Sequence, residues 1–203
     1  MQDILLFLNK YWIILYLIIY IYMLSVFRRA KTGAWEFIWG SFGFFLIYMI
    51  KVSDYIKEPI SECITTLTGI TGNLTHMYKA YFEHSVIYVK SLVEPALLQI
   101  DMECSGTIEL GVFLSIIFFF NVYNFPKKIL YSLIGILYLI FANVIRIMII
   151  CVSIYFFGYG IYDVMHSYVG RIIFYVLTVI LYFEVFTKRQ IRDMKVGDFS
   201  YNK

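Results

Sequence analysis

The run Ile129–Phe157, ILYSLIGILYLIFANVIRIMIICVSIYFF, decides the fold, and Arg146 is its one charged residue. A hydrocarbon core of about 30 Å is crossed by about 20 apolar residues in a helix. This run therefore spans a bilayer and overshoots it, and a break or an extension is expected near Arg146. Four more apolar runs flank it, about Ile4–Phe27, Ala34–Val52, Gly106–Tyr123 and Arg171–Thr187. Together they predict an all-α polytopic membrane protein of about five transmembrane helices, a single integral membrane domain over residues 1–203. The composition agrees: 61% of residues are hydrophobic and only 15% charged, where soluble domains carry about 25% charged residues. Met1-Gln2-Asp3 lacks the basic start of a signal peptide, and no small-residue cleavage site follows the first run, so that run is expected to be a retained span.

The cationic residues orient the chain. Arg28, Arg29 and Lys31 follow the first run, Lys127 and Lys128 lie between the third and fourth, and Lys188, Arg189, Arg192, Lys195 and Lys203 follow the fifth. With five spans all three groups fall on one side, which the positive-inside rule makes cytoplasmic. The N-terminus is then outside, the C-terminus inside, and segment 53–105 extracytoplasmic. In that segment Ile60, Ile64, Leu67, Ile70 and Leu74 recur at helical spacing from about Pro59 to Phe82 and predict a surface helix at headgroup level; Gly69 and Gly72 weaken it. Ser85–Val93 is rich in Val, Ile and Tyr, and Leu98–Glu103 alternates apolar and polar. These two stretches predict a β-hairpin turning at Val93-Glu94-Pro95-Ala96 that delivers Cys104 to the membrane.

Three residues stand out as chemistry. Intramembrane arginine costs about 2.5–3.5 kcal/mol on insertion scales, so Arg146 is either a functional cation or a snorkelling one. It lies 17 residues past Ile129, roughly 26 Å at 1.5 Å per residue, near the outer edge of the core. Asn143 is three residues earlier on the same helical face. His166, in Asp163-Val164-Met165-His166-Ser167-Tyr168-Val169-Gly170, falls just before the last run, either as a surface residue or as a proton carrier. Cys104 sits at the mouth of the third run and reads either as a small buried hydrophobe or as a nucleophile. A thiol ionises at about pH 8.5, so the second reading needs a nearby cation. All three residues fall at the outer end of a span. Thiol, imidazole and guanidinium are what an acyl-transfer site requires: a nucleophile, a proton carrier and a stabiliser of the oxyanion.

The ordered set Cys104-Ser105-Gly106, Asn143-x-x-Arg146 and His166-x-x-x-Gly170 resembles the signature of the exosortase/archaeosortase family of membrane transpeptidases, over about the last hundred residues. Length and Lys/Tyr/Ile-rich composition are most similar to its Gram-positive branch, exosortase G. The resemblance implies a cysteine peptidase or transpeptidase acting on exported proteins that carry a C-terminal motif, a membrane helix and a basic tail. It implies transfer to a lipid or glycan-linked acceptor at the cell surface, beside a membrane glycosyltransferase. Carried over by position, Cys104 is the nucleophile, Arg146 the oxyanion binder and His166 the acid/base. Asn143, Ser105 and, secondarily, Arg171 are candidate substrate-binding residues. The chain departs from the family in having fewer spans and in placing Thr107 where an apolar residue is more usual.

The remaining residues read plainly. Glu109 and Asp163 are the expected electrostatic neighbours of Arg146 or His166. Cys151 is expected in the core, and a Cys63–Cys104 disulfide would block the nucleophile. His76 and His84 have no partner at metal-ligand spacing, no cofactor is called for, and no basic stripe with interleaved aromatics marks a nucleic-acid partner. The rival reading is a small-solute transport or substrate-binding subunit that uses Arg146 for an anion and leaves Cys104 idle. It requires polar residues near the bilayer midplane, and few are present.

Overall fold

The structure is a computed structural model and describes residues 2–100 and 104–188. Helix α1 (Gln2–Arg29) is followed by α2 (Gly33–Ile47), which continues without a break through a π-helical turn (Tyr48–Val52) into α3 (Ser53–Thr75). Three short strands come next, β1 (Tyr78–Tyr81), β2 (Val86–Val89) and β3 (Ala96–Gln99), and then α4 (Thr107–Phe119) and α5 (Phe125–Phe157). A 3-10 turn (Tyr159–Ile161), the short α6 (Tyr162–Val164), a π-helical turn (Met165–Val169), α7 (Gly170–Tyr182) and a last π-helical turn (Phe183–Thr187) form one helical run. Among the described residues, four helical runs are long and apolar enough to cross a membrane, Trp12–Arg29, Gly33–Thr75, Phe125–Phe157 and Tyr159–Thr187, and a further apolar helix, α4, is shorter. The protein is an all-α polytopic membrane protein with a small sheet.

Helix α5 is the spine. It runs 33 residues, roughly 50 Å, so the sequence's surplus length becomes an extension and not a break. Its first two-thirds, with Leu139 and Ala142, pack into a cluster with Leu110, Phe113 and Ile117 of α4 and Phe174 and Leu181 of α7. Beyond that, Ile147, Ile150, Cys151 and Ile154 belong to a second cluster with Ile64 of α3 and Tyr78, Ile87, Val89 and Leu98 of the sheet. The two cores meet where Asn143 and Arg146 lie.

The described cationic residues Arg28, Arg29, Lys31, Lys127, Lys128 and Lys188 gather at the end away from the sheet. Ala34, Val122 and Phe186 line one cavity of about 430 Å³ there. Beside it Arg28 pairs with Glu36 at 3.0 Å, Lys128 donates to the Phe118 carbonyl at 2.6 Å, and the Tyr123 hydroxyl donates to the Val185 carbonyl.

The segment between the second and third apolar runs departs from expectation in three ways. The helix expected from about Pro59 is not a separate element: α2, the π-helical turn and α3 are one 43-residue helical run, roughly 65 Å long and longer than a single bilayer core. That helix ends at Thr75 and not near Phe82, because His76 takes a left-handed conformation (φ 58°). Its buried face takes in only part of the apolar stripe. Ile64 is buried with Ser61, Thr65, Thr68, Gly69 and Gly72, while Leu67, Ile70 and Leu74 are exposed. The glycines are what let the sheet approach: a Cβ on Gly69 would stand 2.7 Å from the Ala80 Cβ, and one on Gly72 2.5 Å from both the Tyr78 ring and its carbonyl oxygen.

The predicted hairpin is present as β2–β3, paired antiparallel with Val86 opposite Gln99 and Val89 opposite Ala96. The sequence reading had placed β1, which pairs with β2 from Tyr78↔Val89 to Tyr81↔Val86, inside a helix. Strand β3 closes at Gln99, and the rest of the alternating stretch, Asp101-Met102-Glu103, lies outside the described residues, as do Arg189, Arg192, Lys195 and Lys203 of the tail.

Gly72→Val is therefore expected to destabilise the sheet end by about 1–3 kcal/mol, the usual range for overpacking. Thermal unfolding and limited proteolysis in detergent should show a lower midpoint and faster cleavage between residues 76 and 100. Gly33→Ala, which meets nothing within 4 Å, should leave both unchanged.

Candidate functional site

Cys104 opens a tight turn that leads into α4. Gly106 has φ +71°, a left-handed conformation that glycine adopts without the steric cost of a Cβ. The turn is held from three sides. Asn143 Nδ2 on α5 donates to the Cys104 carbonyl at 2.5 Å. The Ser105 and Thr107 hydroxyls lie 2.6 Å apart in a hydrogen bond. The Tyr48 hydroxyl, from the π-helical turn 59 residues upstream, donates to the Thr107 carbonyl at 3.0 Å. Thr107 is fully buried, so its departure from an apolar residue is accommodated by the Ser105 hydroxyl. Cys104 is itself 8% exposed and packs in the sheet-side core.

His166 reaches this turn from the other side. It lies on the π-helical turn Met165–Val169, inside the last helical run and not ahead of it; π-bulges recur at functional sites. Its Nδ1 and Nε2 stand 3.8 and 3.7 Å from the Cys104 Sγ. With near-equal distances neither nitrogen points squarely at the sulfur, and a rotation of the ring is needed to aim one of them at it. Tyr162, one helical turn earlier, stacks on the imidazole at 5.2 Å between centroids and 28° between planes.

Arg146 lies one turn along α5 from Asn143 and is 3% exposed. Its guanidinium carbon sits 5.9 Å from the centre of the Phe174 ring, within cation–π range. Its Nε has no hydrogen-bond partner, and neither has the Asn143 Oδ1. Neither Glu109 nor Asp163 pairs with it, since the ion pairs among the described residues are Arg28–Glu36 and Lys188–Glu184. The helices come close at this point because residue 170 is glycine: a Cβ there would meet the Met165 carbonyl at 2.9 Å and the Arg146 Cγ at 3.3 Å.

The structure thus brings Cys104 and His166 into contact and ties Asn143 to the cysteine's backbone, with Arg146 on the same face of α5. The Ser105 hydroxyl is engaged inside the turn, and Arg171 is exposed at the start of α7. Cys63 is free and exposed, and Cys151 is free and fully buried. The described residues contain no group of three His, Cys, Asp or Glu side chains placed to hold a metal ion. Sequence reasoning missed Tyr48, Tyr162 and Phe174. Tyr162 had a usable signal, four residues before His166 on a helix; Tyr48 and Phe174 are distant in sequence from the groups they touch.

Thiol labelling checks this geometry. A maleimide applied to the purified protein should modify Cys63 first, Cys104 at least about tenfold more slowly in keeping with its burial, and Cys151 only on unfolding. Equal rates at Cys63 and Cys104 would contradict the described turn.

The transmembrane exosortase family matches residues 4–183. No curated protein and no solved structure matches the chain. The match takes in every site residue and all but the last turn of the final span, and with it the chain belongs to the transmembrane exosortase family.

Proposed function

We propose that the protein is a membrane-embedded cysteine transpeptidase or protease that cleaves the C-terminal sorting signal of exported proteins and passes them to an acceptor at the cell surface. The observation that carries this reading is the contact of the Cys104 sulfur with both ring nitrogens of His166, in a turn fixed by Asn143 beside the buried Arg146. A transport or binding subunit has no use for a thiol seated against an imidazole.

In the proposed reaction His166 takes the thiol proton and the Cys104 thiolate attacks the scissile carbonyl. The carbonyl electron pair moves onto oxygen, and Arg146 stabilises that oxyanion. Collapse breaks the C–N bond, and the His166 imidazolium gives its proton to the leaving amine. An acceptor amine, or water, then attacks the thioester; the C–S bond breaks, His166 takes up the nucleophile's proton, and the thiolate is released. Asn143, counted in the sequence reading as a substrate binder, acts here as a positioning residue through the Cys104 carbonyl.

The charge distribution supports an orientation with the N-terminus outside, the C-terminus in the cytoplasm and the sheet and Cys104 on the extracytoplasmic side. The described cations Arg28, Arg29, Lys31, Lys127, Lys128 and Lys188 share one end of the bundle, and the turn bearing Cys104 lies at the other. Substrates of this reading carry a recognition motif, a membrane helix and a basic tail, and the acceptor is a lipid or glycan-linked nucleophile, made available beside a membrane glycosyltransferase. The similarity to the Gram-positive exosortase G branch belongs to the same proposal.

Co-expression with a tripartite-tail substrate tests it. Cys104→Ala should abolish processing, and Arg146→Ala and His166→Ala should reduce it below detection, with all three proteins still in the membrane. Asn143→Ala should slow it by about tenfold, the effect of one lost hydrogen bond at a buried carbonyl. Removal of the tail by Cys104→Ala at the wild-type rate would exclude the nucleophile.

A further inference from the structure

The sheet has one edge closed and one edge open. Helix α3 lies along β1, where a Cβ on Gly72 would stand 2.5 Å from the Tyr78 carbonyl oxygen. On the other side β3 is the last strand in the order β1-β2-β3. The Ile100 N–H donates to the Ser85 carbonyl at 2.9 Å, which continues the β2–β3 register by one pair. Antiparallel pairs alternate between hydrogen-bonded and non-hydrogen-bonded, so Leu98 and Ala96 also turn their backbone groups to β2. Leu97 and Gln99 turn theirs outward. Among the described residues no strand pairs with this edge, and no hydrogen bond reaches Leu97 or Gln99 there.

Free edges are ordinarily blocked by charge, proline or a bulge. Ala96–Gln99 contains no charged residue and no proline, and its register is regular. Both outward-facing residues are exposed. Two N–H and two C=O groups, the pairs about 6.6 Å apart along the strand, thus stand ready for an extended chain. The strand also leads to the thiol. Before it, the Leu92 N–H donates to the Tyr155 carbonyl, near the end of α5, at 3.1 Å. After it, the Cys104 carbonyl accepts from Asn143. Tyr155 and Asn143 are separated by roughly 18 Å of helix, so the chain from Leu92 to Cys104 descends α5 from its tip toward the bundle.

We infer that the substrate segment just ahead of the scissile bond joins β3 as a fourth strand, and that the two strands run parallel. The inference deepens the reading of Cys104 as the nucleophile and rests on it. A substrate with a C-terminal membrane helix and a cytoplasmic basic tail enters the membrane from the sheet end, running from N- to C-terminus toward the bundle. Strand β3 runs the same way. Main-chain bonds to Leu97 and Gln99 hold an extended peptide whatever its side chains and lead its carbonyl to the Cys104 turn. The paired residues lie on the acyl side of the broken bond, so they keep the thioester in place when the leaving helix departs.

Disulfide mapping tests the pairing in full-length protein carrying Cys63→Ala and Cys104→Ala. Leu97→Cys or Gln99→Cys is added, and the tripartite-tail substrate of the co-expression assay receives single cysteines through the segment ahead of its helix. Under mild oxidation Gln99→Cys should crosslink to every second substrate position, the period of a strand. Leu97→Cys should give the same pattern shifted two positions away from the substrate's helix. Crosslinking without that period, or a shift toward the helix, which marks an antiparallel strand, overturns the inference. So does a Gln99→Cys disulfide between two copies of this chain that forms equally well without substrate, because a second copy then fills the edge. In protein with its native cysteines, Gln99→Pro removes one outward N–H at an edge position where proline is tolerated. It should process about tenfold more slowly than Gln99→Ala, which keeps that N–H, and equal rates overturn the inference. Its thermal midpoint should match that of Gln99→Ala, whereas Leu98→Pro, whose N–H faces β2, should unfold earlier. Crosslinks are read whether or not the tail is removed, and removal in the Cys104→Ala background counts against the nucleophile alone, so the two proposals fail separately.

Discussion

Asn143 donates its side-chain amide to the Cys104 carbonyl at 2.5 Å, and by that bond the loop carrying the thiol is fixed to the longest helix of the bundle. Backbone polar groups in a low-dielectric setting must be paired, since an orphaned one costs about 1–3 kcal/mol. The turn through Ser105 and Gly106 leaves the Cys104 carbonyl outside any helix, and Asn143 supplies its donor. The same helix face then presents Arg146 one turn further along. The turn's place is set again from the π-helical turn after α2 through Tyr48, so a shift of either helical run would be felt at the sulfur.

That face of α5 lies at the junction of two cores. On one side aromatic and aliphatic residues of α4 and α7 form the bundle interior, and on the other the sheet and α3 close over the helix extension. Placing polar groups at such a seam avoids the bilayer midplane and still excludes water. It also explains the sheet's small size: twelve strand residues suffice because α3 and the end of α5 supply the rest of the cover.

The spans were legible in the sequence because a bilayer demands long apolar helices, and the ordered residues Cys104, Asn143, Arg146 and His166 were legible because each interrupts or adjoins such a run. The fate of segment 53–105 was harder to read. Helical spacing of Ile64, Leu67, Ile70 and Leu74 says which residues share a face, but not whether that face meets protein. Here the small-residue side, Ser61, Thr65, Gly69 and Gly72, is the one a sheet can approach closely. The third strand was hidden because its helix-to-strand switch depends on a single left-handed residue, His76, which carries little sequence signal. Tyr48 was hidden because its partner is 59 residues away and no local pattern encodes that contact.

The burial of Arg146 leads to a last step about selection on this site. Insertion of an arginine at a helix centre costs about 2.5–3.5 kcal/mol, and a cation–π contact such as that with Phe174 offsets about 0.5–2 kcal/mol of it. The Nε has no other partner, so the residue is a net burden on the folded chain. Leucine would fill much of the same space, pack against Phe174 and leave Gly170 its clearance. A chain under pressure for stability alone would not retain arginine there. What arginine supplies and leucine cannot is a fixed positive charge beside the Cys104 turn, held at the junction of the two cores. In the reaction proposed above that charge stabilises the oxyanion, and the unsatisfied Nε donor gains its partner when substrate binds.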